Sequence, residues 1–163
     1  MISLITTFFG AGHLRPAPGT WGSLAALPAA LCLYLVTGLW GFLSLTVAVF
    51  FIGWWATQIH TQGTEDHDPS FIVIDEVAGQ WIALWPVMIG AYHVGADVTA
   101  LWPGWIAAFV LFRVFDITKP GPIGWADRRG DALGVMLDDV IAGLFAAIGV
   151  VILAGLSHAM MGL

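Results

Sequence analysis

Charge is what this 163-residue chain has least of. Asp, Glu, Lys and Arg make up 10% of it, against roughly 25% in an ordinary soluble domain. Lys and Arg number 5 and the net charge is −6, which excludes the basic surface that nucleic-acid binding needs. The one cysteine, Cys32, sits within an apolar helix and excludes intrachain disulfides and Cys-based metal sites. There is no Cys-x5-Arg loop, so cysteinyl-phosphate chemistry is out. The absence of a Gly-x-Ser-x-Gly elbow removes the usual case for acyl transfer. No positive n-region leads a short apolar segment to a small-residue cleavage site, so no removable signal peptide is expected. No linker, low-complexity tract or second domain stands out, and residues 1–163 are read as a single domain.

What the chain has in excess is apolar surface: 59% hydrophobic residues, nine Trp and a mean hydropathy of +0.88. An all-α, polytopic integral membrane bundle is expected, with about five transmembrane helices. Leu24 to Thr57 carries no charge, room for two crossings at about 20 residues each, and Thr37-Gly38 is the expected break. Val77–Ala96 and Val98–Phe112 are the third and fourth uncharged runs, the latter continuing to about Asp116, and Val140–Leu163 is the fifth. Ile2 to Phe9 is too short to cross and reads as an interfacial or re-entrant segment. Arg15 precedes the first helix, and Arg113, Lys119, Arg128 and Arg129 border or occupy the connection between the fourth and fifth. The preference of Lys and Arg for the cytoplasmic side then places the N-terminus, the acidic loop from Gln58 to Ile74 and all the charged motifs on one face.

Nine of the sixteen charged residues fall between Arg113 and Asp139, and charge so concentrated in an apolar chain points to a site. Asp75-Glu76 stands where an apolar run turns into a helix. The helix dipole favours acids there, but two neighbouring carboxylates near lipid call for a neutralising cation or basic partner. Asp138-Asp139 repeats the arrangement at the expected start of the fifth helix. With Asp116 these make five carboxylates, enough hard oxygen ligands for one or two Mg²⁺ ions. The two segments echo each other: Ile74-Asp75-Glu76-Val77 is followed by Gly79, and Leu137-Asp138-Asp139-Val140 by Gly143.

Arg113, three residues before Asp116 and on its helix face, and Lys119 supply planar and point-like positive charge suited to phosphate oxygens. The Gly- and Pro-rich segment Gly10 to Ser23 leads into a helix, and with Arg15 its backbone N–H groups can cradle an anion. Thr20 or Ser23 can equally cap that helix. His60 and His67 lie in the acidic loop, where a histidine is more often merely solvated. Metal-assisted attack on a phosphate, by water or by a carboxylate, is the chemistry left.

Four blocks carry a family resemblance: Gly10 to Ser23; Asp68-Pro-Ser-x-Ile-Val-Ile-Asp75-Glu76-x-x-Gly79-Gln80; Phe112-Arg113-x-Phe115-Asp116-Ile-x-Lys119-Pro120-x-Pro122-Ile123; and Gly134-Val135-Met136-x-Asp138-Asp139-x-x-Ala142-Gly143. In this order they cover nearly the whole chain, which resembles the phosphatidylglycerophosphatase A family. Leu133 departs from the pattern, standing where a glycine is expected. The resemblance implies a Mg²⁺-dependent enzyme of the bacterial inner membrane, converting phosphatidylglycerophosphate to phosphatidylglycerol and inorganic phosphate at a cytoplasm-facing site. Asp75, Glu76, Asp138 and Asp139 would hold the metal, and Asp116 would be a further ligand, nucleophile or base. Arg15, Thr20, Arg113 and Lys119 would bind phosphate. A broader lipid-phosphate phosphatase and an ion-coupled transporter are the alternatives, and acids gathered at one membrane face favour an enzyme over the transporter.

Overall fold

The computed structural model describes residues 1–64 and 68–161, and every regular element among them is helical. These are α1 (Ile2–Thr6), α2 (Pro18–His60), α3 (Ile74–Ala83), α4 (Trp85–Val94), α5 (Trp102–Thr118), α6 (Pro122–Asp127) and α7 (Ala132–Met161). Single 3-10 turns stand at Ala11–His13 and Val98–Leu101. Three stretches are long and apolar enough to cross a bilayer: α2, Val98–Thr118 and Ala132–Met160.

A straight helix of 43 residues would run about 65 Å, twice the hydrocarbon core. It is not straight, because Gly38 breaks it with φ 68° and ψ −173°, a conformation essentially reserved for glycine. Trp81 reports the consequence. Its Nε1–H donates to the Ala26 carbonyl at 2.9 Å, and its ring lies 5.9 Å from that of Phe42. Residues 26 and 42 would be about 24 Å apart along a continuous helix. The chain therefore folds back at Gly38 into a hairpin with arms 18–37 and 39–60, as the uncharged run led one to expect. Near the far ends of the arms, Gly22 faces Val73, and Gly53 faces Ile74 and Met136.

The outer surface is apolar. Val36, Trp40, Phe51, Trp55, Val114, Ile117, Ile148 and Ile152 are all exposed, an exterior that water would not tolerate over this area and that lipid covers. At the centre stands α3, buried along almost its whole length, against both hairpin arms, α5 and α7. Its closest approach is to α7, at a pair of glycines. A Cβ on Gly143 would lie 2.4 Å from the Gly79 carbonyl oxygen, and one on Gly79 would lie 2.5 Å from both the Asp139 carbonyl and the Phe112 ring.

Two expectations about element boundaries need correction. The uncharged run from Val77 to Ala96 is not one helix but α3 and α4, ten residues each, meeting at Leu84. Pro86 sits in the first turn of α4, where its missing N–H costs nothing. The last helix starts at Ala132, with Leu133 inside it, so Asp138 and Asp139 lie within the helix and not at its start. The N-terminal segment is a strap: Val73 N–H donates to the Thr6 carbonyl at 2.8 Å, and Thr6 Oγ1 hydrogen-bonds His60 Nδ1 at 2.9 Å. The strap holds the loop that leads into α3.

Candidate active site

Where α3, α5 and α7 come together with the start of α2, a pocket of about 320 Å³ opens. Its wall carries six carboxylates, Asp68, Asp75, Glu76, Asp116, Asp138 and Asp139, against two cations, Arg113 and Lys119. Ala17, Pro18, Gly19, Ser70, Ile72 and Val135 complete it.

Each charged group is delivered by a definite local device. Asp75 and Glu76 occupy the first turn of α3, the favourable end of its dipole. Asp139 comes from α7, one turn before Gly143, as Asp75 comes one turn before Gly79. The glycine crossing is thus what brings carboxylates of two helices to the same place, and the sequence echo is a spatial pairing. One oxygen each of Asp75, Glu76 and Asp139 lie within 4.8 Å of one another. Gly19 lets Glu76 approach the first turn of α2, since a Cβ there would fall 2.2 Å from Glu76 Oε1.

Arg113 ion-pairs with Asp116 at 2.5 Å, one turn along α5, as their spacing required, and also donates to Ser23 Oγ at 3.4 Å. Lys119 ends α5 in a left-handed conformation (φ 45°, ψ 51°). Its ammonium donates to Asp127 at 2.5 Å and to Asp138 at 2.6 Å. Burial lowers the Lys119 pKa, but the hydrogen bonds and charges of Asp127 and Asp138 outweigh it and hold the amine above its ordinary value. Asp138 is satisfied further by the Asp139 N–H at 2.9 Å.

Several buried atoms in this cluster have no hydrogen-bond partner among the described residues: Asp75 Oδ1, Glu76 Oε2, Asp139 Oδ1 and Arg113 Nε. Buried charges without compensation are costly by several kcal/mol each. A carboxylate-only donor set, close-set and with unpartnered oxygens, is what a hard divalent cation such as Mg²⁺ completes, while a soft metal would want sulfur or imidazole. Asp75, Glu76 and Asp139 therefore fit such an ion. Asp116 and Asp138 lie beside them but are occupied with Arg113 and Lys119.

Arg15 is exposed and Thr20 half-buried, and among the described residues neither lines the pocket, although their neighbours Ala17, Pro18 and Gly19 do. Ser23 back-bonds to the Gly19 carbonyl at 2.8 Å in addition to meeting Arg113. His60 is held by Thr6 and its ring lies 5.2 Å from that of Phe71, tilted by 47°, and it is not part of the pocket wall. His67, with Glu65 and Asp66, lies outside the described residues. Asp127 and Ser70 were not singled out from the sequence. Ser70 sits in a block that carried the resemblance, whereas Asp127 is eight residues beyond Lys119 across a turn and leaves no periodic signal.

Comparisons with known proteins point to one family. The family model for phosphatidylglycerophosphatase A matches residues 4–154. A Haemophilus influenzae protein named phosphatidylglycerophosphatase A is 39% identical over 148 residues, covering 90% of this chain and 85% of the relative. An Escherichia coli protein of the same name is 37% identical over 148 residues, covering 88% and 78%. A Bacteroides thetaiotaomicron protein named "Putative phosphatidylinositol-3-phosphatase" is 38% identical over 149 residues, covering 89% and 88%. No solved structure matches the chain significantly. With a family match over nearly its whole length and relatives of this similarity, the chain belongs to the phosphatidylglycerophosphatase A family.

Proposed function

We propose that the protein is a Mg²⁺-dependent lipid phosphatase that hydrolyses phosphatidylglycerophosphate to phosphatidylglycerol and inorganic phosphate in the inner membrane of a bacterium. The observation that carries this reading is the pocket itself: three carboxylates, each with a buried oxygen that has no hydrogen-bond partner among the described residues, in a wall shared with Arg113 and Lys119. Six acids against two cations would repel a phosphate dianion, and a divalent cation held among them would offset part of that charge and place positive charge next to the phosphate.

In this reading the hairpin arms, α3 with α4, α5 and α7 make five crossings of one domain. The N-terminus and the pocket face the cytoplasm, with Asp97 on the opposite side. A pocket at the ends of apolar helices lets the phosphate head enter while the acyl chains stay in the bilayer.

Asp75, Glu76 and Asp139 hold the ion, which when bound polarises the phosphate and lowers the pKa of ligated water. Arg113 and Lys119 bind the phosphate oxygens and offset the charge that grows on them. Arg113 is oriented by Asp116 and Ser23. Asp116 is assigned to the attack itself, either taking the proton of the incoming water or bonding phosphorus directly. In the first route the ester P–O bond breaks as water bonds phosphorus, and the glycerol oxygen leaves with the proton that Asp116 took. In the second the glycerol oxygen takes its proton from solvent as the Asp116–phosphorus bond forms, and a water then hydrolyses the aspartyl phosphate to release inorganic phosphate. Acid quenching of the enzyme with labelled substrate separates the two routes, since only direct attack leaves phosphate on the protein. Arg15 stands outside the lining and meets the head group only at the surface.

The test is phosphate release by purified protein in detergent from phosphatidylglycerophosphate, phosphatidic acid and phosphatidylinositol 3-phosphate at equal surface concentration. Preference for the first supports the reading. Equal rates on all three would make the protein a general lipid-phosphate phosphatase, preference for the third would move it to the activity in the name of the Bacteroides relative, and no release from any would overturn it.

A further inference from the structure

Lys119 is the only lysine of the chain, and Asp127 determines where its amine points. From this geometry we infer that Asp127 is a positioning residue for phosphate binding, acting through Lys119. The inference rests on the phosphatase reading above for its ligand, a phosphate monoester, but not for the contact itself.

A lysine ammonium has three donors. Here one goes to Asp127 Oδ1 at 2.5 Å and one to Asp138 Oδ2 at 2.6 Å, which leaves a single N–H for the pocket that Lys119 lines. Lysine is otherwise a flexible point charge on a four-carbon stem, and two fixed acceptors convert it into a directed donor. Asp127 is not part of the pocket wall among the described residues, so it has no contact with the substrate in this assignment.

The supporting structure is local and specific. Lys119 takes a left-handed backbone conformation, and Gly121 turns the chain with φ 54°. The short helix α6 then runs back, anchored by Ile123, which is fully buried. Gly124 lies against the Lys119 carbonyl, where a Cβ would be 2.7 Å from the oxygen. The result is that the last residue of α6, Asp127, faces the side chain of the residue that ended α5. The nearby Arg129 does not compete, being engaged by Asp131 at 2.9 Å.

The experiment uses the full-length protein in detergent. Because the chain has one lysine, an amine-reactive reagent reports on Lys119 alone once N-terminal labelling is resolved by peptide mapping. In the wild type, inorganic phosphate with Mg²⁺ should slow Lys119 labelling. In Asp127→Asn that protection should need about tenfold more phosphate, Asp127→Glu should restore it, and Asp131→Asn should leave it unchanged. With lipid substrate, Asp127→Asn should raise KM about tenfold with kcat within a few-fold, and should add nothing in a Lys119→Met background. Unchanged phosphate protection in Asp127→Asn, or full additivity with Lys119→Met, overturns the inference. Intact protection without hydrolysis of any lipid would instead sink the phosphatase reading and leave the Asp127–Lys119 coupling standing.

Discussion

The glycine crossing between α3 and α7 makes a sharp quantitative demand. In Gly143→Ala, the new Cβ would stand 2.4 Å from the Gly79 carbonyl oxygen, whereas Cβ atoms essentially never approach closer than 3.0 Å. The partner is backbone, so no side chain can swing away, and the helices must separate by about 0.6 Å or more. Asp139 and Asp75 each lie one turn from the contact, so the separation is passed to the carboxylates that belong to different helices. Mg²⁺ holds its oxygens at about 2.0–2.1 Å in near-octahedral geometry, and a misplacement of about 1 Å in a reacting array costs on the order of 100-fold. A ten- to hundredfold loss in kcat/KM is expected, with a higher Mg²⁺ requirement. Stability should change much less: alanine gains about 1 kcal/mol of helix propensity, while overpacking costs about 1–3 kcal/mol, leaving a net loss below about 2. Phosphate release against Mg²⁺ concentration, beside thermal unfolding in the same detergent, reads both quantities. A Gly143→Ala protein with wild-type turnover and wild-type Mg²⁺ dependence would refute the claim that this crossing sets the site.

Two further predictions test other parts of the account. Gly38→Ala forces a non-glycine residue into φ 68°, ψ −173° and should destabilise the hairpin by about 1–3 kcal/mol; an unchanged unfolding midpoint would mean the break does not depend on this backbone conformation. Arg113→Lys keeps the charge but cannot hold Asp116 and Ser23 together as the planar fork does. At about 1.5–3 kcal/mol for lost charge-assisted hydrogen bonds, kcat/KM should fall ten- to hundredfold, and retention of half the wild-type value would remove Arg113 from the phosphate-binding role.

How much of this was legible in the sequence follows from where its signals are local. The hairpin break could be read because a 34-residue uncharged run is too long for one crossing and Gly38 is the residue that tolerates the turn. Arg113 and Asp116 could be paired because a spacing of three keeps them on one helix face. The division of the third run at Leu84 left only Pro86 as a trace, since uncharged sequence reads alike whether a helix is whole or broken. The early start of α7 was hidden for a physical reason: a buried carboxylate pair argues against continuing a membrane helix through it, unless a polar pocket receives it, and the pocket exists only in three dimensions. The echo between residues 74–79 and 137–143 was visible as pattern, but that its two glycines touch was not. Arg15 and Thr20 were singled out by proximity in sequence to a loop whose backbone, at Gly19, is what reaches the pocket.

The most direct measurement is phosphate release from phosphatidylglycerophosphate by the reconstituted protein as a function of Mg²⁺, with Asp139→Asn run in parallel. Release should saturate with Mg²⁺, stop on chelation, and in Asp139→Asn fall at least about a hundredfold at limiting metal, because one of the three carboxylates assigned to the ion has lost its charge. Release that ignores chelation, or an Asp139→Asn protein with the wild-type Mg²⁺ curve, would contradict it.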